Sequence, residues 1–167
     1  MRIAVGADEE NDLTRSVVDE LRRLGHELEV FEPDRWPEIA RKVAEQVAAR
    51  AADQGVLFCW TGTGTAMAAN KLPGVSAALV WEPWIAEGAR RWNDANVLVM
   101  SCKRVTPETA RDILAAWFSV AAPDPNEADN LALLEQIEQR YAKRAGKKDA
   151  PGGGPGRQRR GAKLNVS

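Results

Sequence analysis

The sequence contains few of the residues that build metal sites and disulfide-linked folds. Its 167 residues include one histidine, His26, and two cysteines, Cys59 and Cys102. A zinc site needs several histidine or cysteine ligands at close spacing, and a disulfide-linked fold needs several cysteine pairs. The shortage argues against both classes, and we expect no metal site.

Long apolar runs are also missing. No run of about 18 apolar residues occurs, so the sequence predicts no membrane-spanning helix. Residues 1–5 lead straight into a strand-like segment, without the basic and then apolar leader of a secretory signal. Apolar residues make up 44% of the chain and charged residues 28%, a balance typical of a globular protein. We therefore expect a single cytoplasmic domain.

The net charge of −1 hides an uneven distribution. Residues 145–167 carry six basic residues against one acidic residue, together with six of the 13 glycines, whereas the preceding residues have a net charge of −6. A basic segment rich in Gly and Pro buries too little apolar surface to offset the entropy lost when it becomes ordered. We expect a folded domain over residues 1–144 and a disordered tail over residues 145–167. The tail is expected to solubilise the protein rather than to contact nucleic acid.

Short apolar runs alternate with amphipathic segments along the first 144 residues. Five runs predict strands, at residues 3–5, 28–31, 55–59, 75–80 and 97–100. Helical spacing of apolar residues predicts helices at residues 13–24, 36–52, 66–71, 83–92, 106–117 and 128–144. In the fifth helix, Thr106 is the expected N-cap and Pro107 the first helical residue. The alternation predicts an α/β fold, a three-layer Rossmann-like sandwich with a five-stranded parallel sheet.

The loop after the third predicted strand carries the residues best suited to chemistry. It reads Cys59-Trp60-Thr61-Gly62-Thr63-Gly64-Thr65 and runs directly into a helix. Ligands of parallel sheets bind at the carboxyl ends of strands, where helix N-termini present free N–H groups. This loop therefore favours an oxyanion site, and the helix N-terminus is expected to lower the pKa of Cys59. It is not a P-loop, because the Gly-Lys-Ser/Thr ending is absent. Two structural alternatives remain: a tight strand–helix turn, and Cys59 as an apolar core residue.

Residues 55–75 resemble the signature of the ribose-5-phosphate isomerase B and galactose-6-phosphate isomerase (RpiB/LacA/LacB) family. Beyond the loop itself, the specific blocks are Ala68-Ala69-Asn70-Lys71 and residues 89–98, which include Asn93-Asp94-Ala95-Asn96. Residues 1–8 and the turn at residues 24–27 are also similar to the family pattern. The resemblance extends over about residues 1–144.

This resemblance implies an aldose–ketose isomerase that works without a cofactor. By position, Cys59 is the base that moves a proton between adjacent carbons through a cis-enediolate, and Thr61 assists at the ring oxygen or carbonyl. The N–H groups of residues 62–65 hold the developing oxyanion. Asn93 is expected to bond a substrate oxygen and Asp8 a hydroxyl. The resemblance also implies a homodimer whose sites combine residues of both subunits, with the C-terminal helix lying over the partner.

The sequence departs from the family pattern where that pattern opens the sugar ring or binds phosphate. Glu9, Trp81 and Trp92 stand at positions where family members carry histidines. The C-terminal arginines that grip phosphate in the family fall in residues 125–135, which are acidic and apolar here. A sugar-phosphate dianion needs cationic partners, and a carboxylate at position 9 repels it.

Further departures lie in the loop itself. Trp60 replaces a small glycine beside Cys59, and Thr65 stands where some family members carry a glutamate base. Trp60, Glu9 and Trp92 are candidate substrate contacts. The tryptophans of this region are expected either to line the ligand pocket or to pack in a dimer interface; they are Trp60, Trp81, Trp84 and Trp92.

Three functions fit these residues. The one we favour is an isomerase with an altered substrate, an unphosphorylated or already open-chain carbohydrate or a related polyol carbonyl, that turns over ribose 5-phosphate poorly. The second is an ordinary pentose-phosphate isomerase that uses replacement residues. The third is a non-catalytic paralogue or a binding subunit of an isomerase complex. Cys59 and its loop favour chemistry, whereas the missing histidines argue against the standard reaction.

Overall fold

The computed structural model describes residues 1–148, with side chains described as far as residue 142. The last helix continues through Lys148, four residues into the segment predicted as the tail. The remainder of the predicted tail, residues 149–167, lies outside the described residues.

Five strands form one sheet. They are β1 (Arg2–Ala7), β2 (Glu27–Val30), β3 (Gln54–Cys59), β4 (Ala77–Leu79) and β5 (Val97–Ser101). The strand order is β2-β1-β3-β5-β4, and every neighbouring pair is parallel. All carboxyl ends therefore meet at one edge of the sheet, here called the carboxyl edge, and all amino ends meet at the opposite amino edge. The predicted α/β fold is confirmed.

The described residues contain six α-helices. They are α1 (Asp12–Arg23), α2 (Trp36–Ala48), α3 (Thr63–Ala69), α4 (Pro83–Asn93), α5 (Pro107–Phe118) and α6 (Ala128–Lys148), the last preceded by a 3₁₀ turn at Pro125–Glu127. α3 begins three residues earlier than the sequence predicts, inside the glycine-rich loop. β4 is shorter than predicted: the Asn96 side chain bonds the backbone of Gly74 and Ser76 just before it, and the Asn70 side chain bonds the backbone of Ala77, its first residue. The predicted N-cap of α5 is confirmed, since the Thr106 hydroxyl accepts from the Thr109 amide.

The central strand β3 is buried on both faces, which explains its uninterrupted apolar run. Val56 and Phe58 pack in one core with α1, α4 and α5, whereas Leu57 packs in a second core with α2 and α3. A parallel strand covered on both sides needs no polar alternation. Two helical layers therefore enclose the sheet, and the three-layer architecture is confirmed.

A buried hydrogen bond closes the amino edge of the first core. The Trp117 indole N–H donates to the side-chain oxygen of Gln54 at 2.6 Å, and both residues are buried. Arg90 lies over the Trp117 ring, 5.6 Å from its centroid. Because buried polar atoms need partners, this bond fixes α5 against the start of β3.

α6 stands away from the body of the domain. The Gly74 amide of the body donates to the Glu138 carboxylate of α6 at 3.1 Å. A groove of about 1040 Å³ separates α6 from the amino edge beside β4 and β5. The apolar side chains of α6 are about half exposed; they include Leu133, Leu134, Ile137 and Tyr141. Within residues 1–148, none of the helices combines the length and apolarity needed to cross a bilayer.

Candidate active site

The glycine-rich loop forms a tight cradle between β3 and α3. Gly62 has φ of +79°, and a Cβ at this position would overlap with Cδ1 of Leu79. Only glycine adopts this conformation readily in so narrow a space. Gly64 lies under the Trp36 indole, which a Cβ would meet at 3.1 Å. Gly62 is therefore required by the turn and Gly64 allows close contact with Trp36, and the backbone N–H groups at the start of α3 stay open to the carboxyl edge.

Cys59 ends β3 at the mouth of this cradle, with 7% of its surface exposed. Burial raises the pKa of its thiol, and the neighbouring Asp8 carboxylate, which hydrogen-bonds the protonated thiol, raises it further. The Gly62 and Thr61 amides act in the opposite direction and do not compensate. The sequence-based expectation of a lowered pKa is therefore wrong in direction, because burial and an adjacent carboxylate outweigh the helix N-terminus.

The three threonines of the loop divide into two roles. The Thr61 and Thr63 hydroxyls lie 2.8 Å apart, and both residues are exposed at the mouth of the cradle. Thr65 is fully buried, and its hydroxyl donates to the Gly62 carbonyl at 3.1 Å. The structure thus assigns the Thr65 side chain to holding the turn, and only its backbone can belong to the predicted oxyanion site.

Asp8 brings an unsatisfied carboxylate oxygen to Cys59 from the end of β1. Its Oδ1 is buried and has no hydrogen-bond partner among the described residues. Glu9 follows in the exposed β1–α1 loop, and α1 is capped by Asn11. A buried acceptor without a donor costs free energy that a bound hydroxyl would recover. Asp8 therefore remains a good candidate for a substrate contact, whereas Glu9 adds an exposed negative charge nearby.

Trp60 is tied to the loop after β5. Its carbonyl accepts from the Ser101 hydroxyl at 2.8 Å and from the Lys103 amide at 3.3 Å. The Lys103 ammonium lies 4.0 Å from the centroid of the Trp60 ring, which is 58% exposed. Sequence reasoning missed Lys103. The signal lies in the order of the strands, since β5 pairs with β3 and sets the two following loops side by side.

Two more neighbours of the cradle escaped the sequence analysis. Trp36 opens α2 and covers Gly64, and half-buried Cys102 donates its amide to the Cys59 carbonyl at 3.0 Å. Trp36 follows the second strand, so its place at the carboxyl edge was available from the alternation pattern. Cys102 directly follows β5, and the pairing of that strand with β3 brings it to Cys59.

Trp92 and Asn93 lie far from the cradle within one protomer. α4 runs from the carboxyl edge to the amino edge, and Asn93 ends it before β5 begins at Val97. Cys59 pairs with Ser101 at the other end of β5. The four residue-to-residue steps from Val97 to Ser101 alone span about 13 Å. The Trp92 ring instead packs over Gly88 of its own helix. The fold brings together Cys59, Thr61 and Asp8 but not these two residues.

The arrangement suits proton transfer beside a developing oxyanion. Cys59 supplies a titratable sulfur, the start of α3 supplies N–H groups, and the two exposed threonines supply hydroxyls. Trp81 and Trp84 lie beyond β4 at the same edge, and the Trp84 indole donates to Glu82 at 2.8 Å. Across the described part of the chain, no three His, Cys, Asp or Glu side chains are grouped to hold a metal ion.

Comparisons with known proteins agree with this geometry. Residues 3–134 match the family model described as Ribose/Galactose Isomerase. The chain is 33% identical over 146 residues to ribose-5-P isomerase B of Listeria innocua, covering 84% of this chain and 99% of that protein. It is 31% identical over 125 residues to D-erythrulose-4-phosphate isomerase of Pectobacterium atrosepticum, covering 71% of this chain and 82% of that protein.

A solved structure, ribose-5-phosphate isomerase B of Clostridium thermocellum, superposes with a TM-score of 0.79 at 32% identity. The superposition covers 84% of this chain and 99% of that one. Fold, loop sequence and length of match all agree, and the chain belongs to the ribose/galactose isomerase family.

Proposed function

We propose that the protein is a cofactor-independent aldose–ketose isomerase acting on an open-chain sugar phosphate or a related polyol carbonyl. The observation that carries this proposal is the nearly buried Cys59 thiol, which lies beside the cradle at the start of α3 and next to the Asp8 carboxylate, one oxygen of which has no partner among the described residues. A titratable base, an oxyanion site and a hydroxyl acceptor then surround one point, as proton transfer next to a carbonyl requires.

The reaction needs only this chain's own groups. The Cys59 thiolate removes the proton from the carbon next to the substrate carbonyl, and the electron pair of that C–H bond forms the enediolate. The N–H groups of residues 62–65 and the Thr61 hydroxyl stabilise the oxygen that becomes negative. The hydroxyl proton on the neighbouring oxygen passes to the enediolate oxygen, with the Thr61 hydroxyl as relay, and Cys59 returns its proton to the neighbouring carbon, which moves the carbonyl by one position. The Asp8 carboxylate accepts a hydrogen bond from a substrate hydroxyl, and this bond fixes which substrate carbon faces the sulfur.

The residues that replace histidines favour a substrate without a ring. The indole N–H of Trp92 does not titrate, so it cannot serve as a ring-opening acid or base. A four-carbon 2-ketose is too short to close a furanose ring, and in the corresponding aldose a phosphate on the C4 oxygen esterifies the only hydroxyl that could close one. One relative named above is a D-erythrulose-4-phosphate isomerase. An open-chain substrate of this kind needs no ring opening, and Lys103 offers a cation for its phosphate.

The site also favours a homodimer. Asn93, the candidate contact for a substrate oxygen, is separated from Cys59 of its own chain by the length of β5. A second copy brings Asn93 to the cradle and covers the half-exposed apolar side of α6. Because sugar phosphates are made and consumed inside cells, the proposal also implies a cytoplasmic protein.

The test is a substrate panel on the full chain and on the Cys59→Ala variant. We expect the wild type to isomerise D-erythrulose 4-phosphate or another open-chain substrate faster than ribose 5-phosphate. Positioned general bases contribute about 10²–10⁴-fold, so Cys59→Ala should lower kcat by that factor and abolish solvent deuterium incorporation. Turnover of ribose 5-phosphate at about 1–10³ s⁻¹ would contradict the altered specificity.

The same panel tests the alternative of a non-catalytic binding subunit. Full activity in Cys59→Ala would show that Cys59 is an apolar core residue and not the base. A wild type that binds substrates by mass spectrometry but exchanges no deuterium would support the binding subunit and overturn the isomerase.

A further inference from the structure

Helix α2 packs closely against the elements beside it, because a glycine faces it at three contacts. A Cβ on Gly6 of β1 would lie 2.6 Å from a side chain of α2, and one on Gly55 of β3 would lie 2.7 Å from another. The third glycine, Gly64 of α3, faces the indole of Trp36 at the start of α2. Because close-packed interiors shift little, α2 holds its first residue at a fixed place beside the cradle.

Trp36 continues the buried side of α2. The buried residues of this helix follow it at helical spacing; they are Ile39, Ala40, Val43, Ala44 and Val47. The loop before Trp36 is tied to the same helix, since the Lys42 ammonium donates to the Asp34 carboxylate at 2.8 Å. The Trp36 ring therefore has a firm base, although about half of its surface is exposed.

The six-membered ring of Trp36 lies directly against Gly64. A Cβ on Gly64 would be 3.1 Å from Cε3, 3.2 Å from Cδ2 and 3.5 Å from Cζ3 of the indole. Gly64 lacks the positive φ of Gly62, so its own backbone conformation does not demand glycine. Alanine would favour the helix at this position. The approach of the ring therefore explains the glycine.

Gly64 contributes one of the N–H groups of the cradle and has no side chain to restrain it. Glycine has more backbone freedom than any other residue. The other cradle residues have restraints of their own, since Gly62 lies against Leu79 and the Thr65 hydroxyl donates to the Gly62 carbonyl at 3.1 Å. At Gly64 the restraint is the Trp36 ring.

We propose that Trp36 is a positioning residue, which holds the Gly64 amide in place for the oxyanion of the enediolate. This inference rests on the proposed function, which assigns the cradle to that oxyanion. The ring acts through the Gly64 backbone and needs no contact with the substrate. A displacement of about 1 Å in such a site can lower the rate by about 10²-fold. Loss of the ring should therefore affect the enediolate more than the bound substrate.

The first experiment compares Trp36→Ala with Trp36→Phe in the full-length protein. With the best substrate of the panel, Trp36→Ala should lower kcat by about 10–100-fold and change KM by less than about threefold. Trp36→Phe keeps a six-membered ring and should retain most of the activity. Unchanged kcat in Trp36→Ala, a loss confined to KM, a loss that phenylalanine does not rescue, or altered sedimentation of Trp36→Ala would overturn the proposal.

Two unreactive ligands separate the enediolate from the rest of the substrate. The hydroxamate of a four-carbon aldonic acid 4-phosphate carries a planar anionic group like that of the enediolate, and erythritol 4-phosphate has the same chain without that group. In calorimetry, Trp36→Ala should weaken hydroxamate binding by about tenfold or more and erythritol 4-phosphate binding by less than about twofold. Equal weakening, or a wild type that does not prefer the hydroxamate, would overturn the proposal.

Gly64→Ala tests the contact itself. Its Cβ should push the half-exposed ring away, so that hydroxamate affinity falls by about as much as in Trp36→Ala. When Trp36 is already alanine, Gly64→Ala should change the affinity by less than about twofold, because no ring remains to be displaced. The same loss in both backgrounds would show that the ligand itself requires glycine at this position, and would overturn the role of Trp36.

The binding measurements separate this inference from the proposed function. A wild type that isomerises nothing in the panel but shows the coupled loss of hydroxamate affinity would contradict the isomerase and support Trp36 as the residue that positions the Gly64 amide. An active protein without that coupling would overturn the inference and leave the isomerase standing.

Discussion

The protonation of Cys59 is set by two opposing groups of neighbours. Burial and the Asp8 carboxylate favour the thiol, and the Gly62 and Thr61 amides favour the thiolate, with the first group prevailing. A base whose pKa is raised is mostly protonated near neutral pH. The Asp8 carboxylate therefore has two effects: it offers a hydroxyl acceptor to the substrate, and it restrains the ionisation of the base.

We expect the rate of the wild type to rise with pH into the alkaline range, because only the thiolate of Cys59 accepts a proton. Asp8→Asn removes the negative charge that holds the thiol proton, so the rising limb should move to lower pH while kcat falls. Alkylation of Cys59 by iodoacetamide, followed by mass spectrometry across a pH series, measures the same ionisation without substrate. Glu10→Gln is the control, since Glu10 pairs with Arg15 at 3.0 Å. An unmoved alkylation profile in Asp8→Asn would show that the carboxylate does not restrain the thiol.

A second residue-scale expectation concerns the buried bond between Trp117 and Gln54. Trp117→Phe leaves the Gln54 side-chain oxygen without its donor and opens a small cavity, so it should cost about 2–4 kcal/mol of unfolding free energy. Trp84→Phe also removes an indole N–H bond, but an exposed one, and should stay within about 0.5 kcal/mol of the wild type. Urea unfolding at one fixed protein concentration compares the two. Equal losses would mean that burial of the bond is unimportant.

At the scale of elements, the β3–α3 connection determines where the oxyanion site lies. The connection is short, since three residues separate Cys59 at the end of the strand from Thr63 at the start of the helix. Gly62 makes the change of direction with its positive φ while lying against Leu79 and Met100. The open N–H groups at the start of α3 are therefore fixed relative to the sulfur by backbone geometry rather than by flexible side chains.

We expect Gly62→Ala to be more damaging than Gly25→Ala. Both glycines have φ near +80°, so alanine is strained at either position by about 1 kcal/mol or more. A Cβ at Gly25 meets nothing within 4 Å, whereas one at Gly62 overlaps with Leu79. Gly62→Ala should thus show the lower urea midpoint and lose activity by tenfold or more as the cradle shifts. Similar midpoints and activities for the two variants would contradict this account of the loop.

The sequence predicts local structure well, but it predicts poorly which residues distant in sequence lie next to each other in the fold. The apolar run of β3 and the Thr106 cap follow from burial and capping rules that act over a few residues. Lys103 was missed, because its proximity to Trp60 depends on β5 pairing with β3 rather than with the next strand in sequence. The direction of the Cys59 pKa also failed, since it depends on how deeply the thiol is buried and on a carboxylate 51 residues away.

At the scale of the whole molecule, α6 is a helix whose apolar face is only partly buried within one chain. Its apolar side chains stay about half exposed, and a groove separates them from the amino edge of the sheet. An amphipathic helix gains most of its stability from packing of its apolar face. A second copy of the chain provides that packing under the proposed dimer.

We expect Ile137→Asp to weaken the dimer, because Ile137 is 47% exposed on α6 in one chain and would place a charge in the interface. Sedimentation should show a dimer for the wild type at micromolar concentration and a monomer or a weaker dimer for the variant. Gln136→Asp, at the adjacent helical position, is the matched control. A wild type that sediments as a monomer would remove the dimer and with it the shared site.

The position of Asn93 at the far end of β5 has a genetic consequence. If Cys59 of one chain works with Asn93 of the other, two inactive variants should complement each other. In a mixed dimer of Cys59→Ala and Asn93→Ala chains, one of the two sites has both defects and the other has neither. Random reassortment makes half of the dimers mixed, so the mixture should recover about a quarter of wild-type activity after co-refolding. No single-chain site would yield that recovery, so two loss-of-function alleles expressed together would restore part of the isomerase activity that neither has alone.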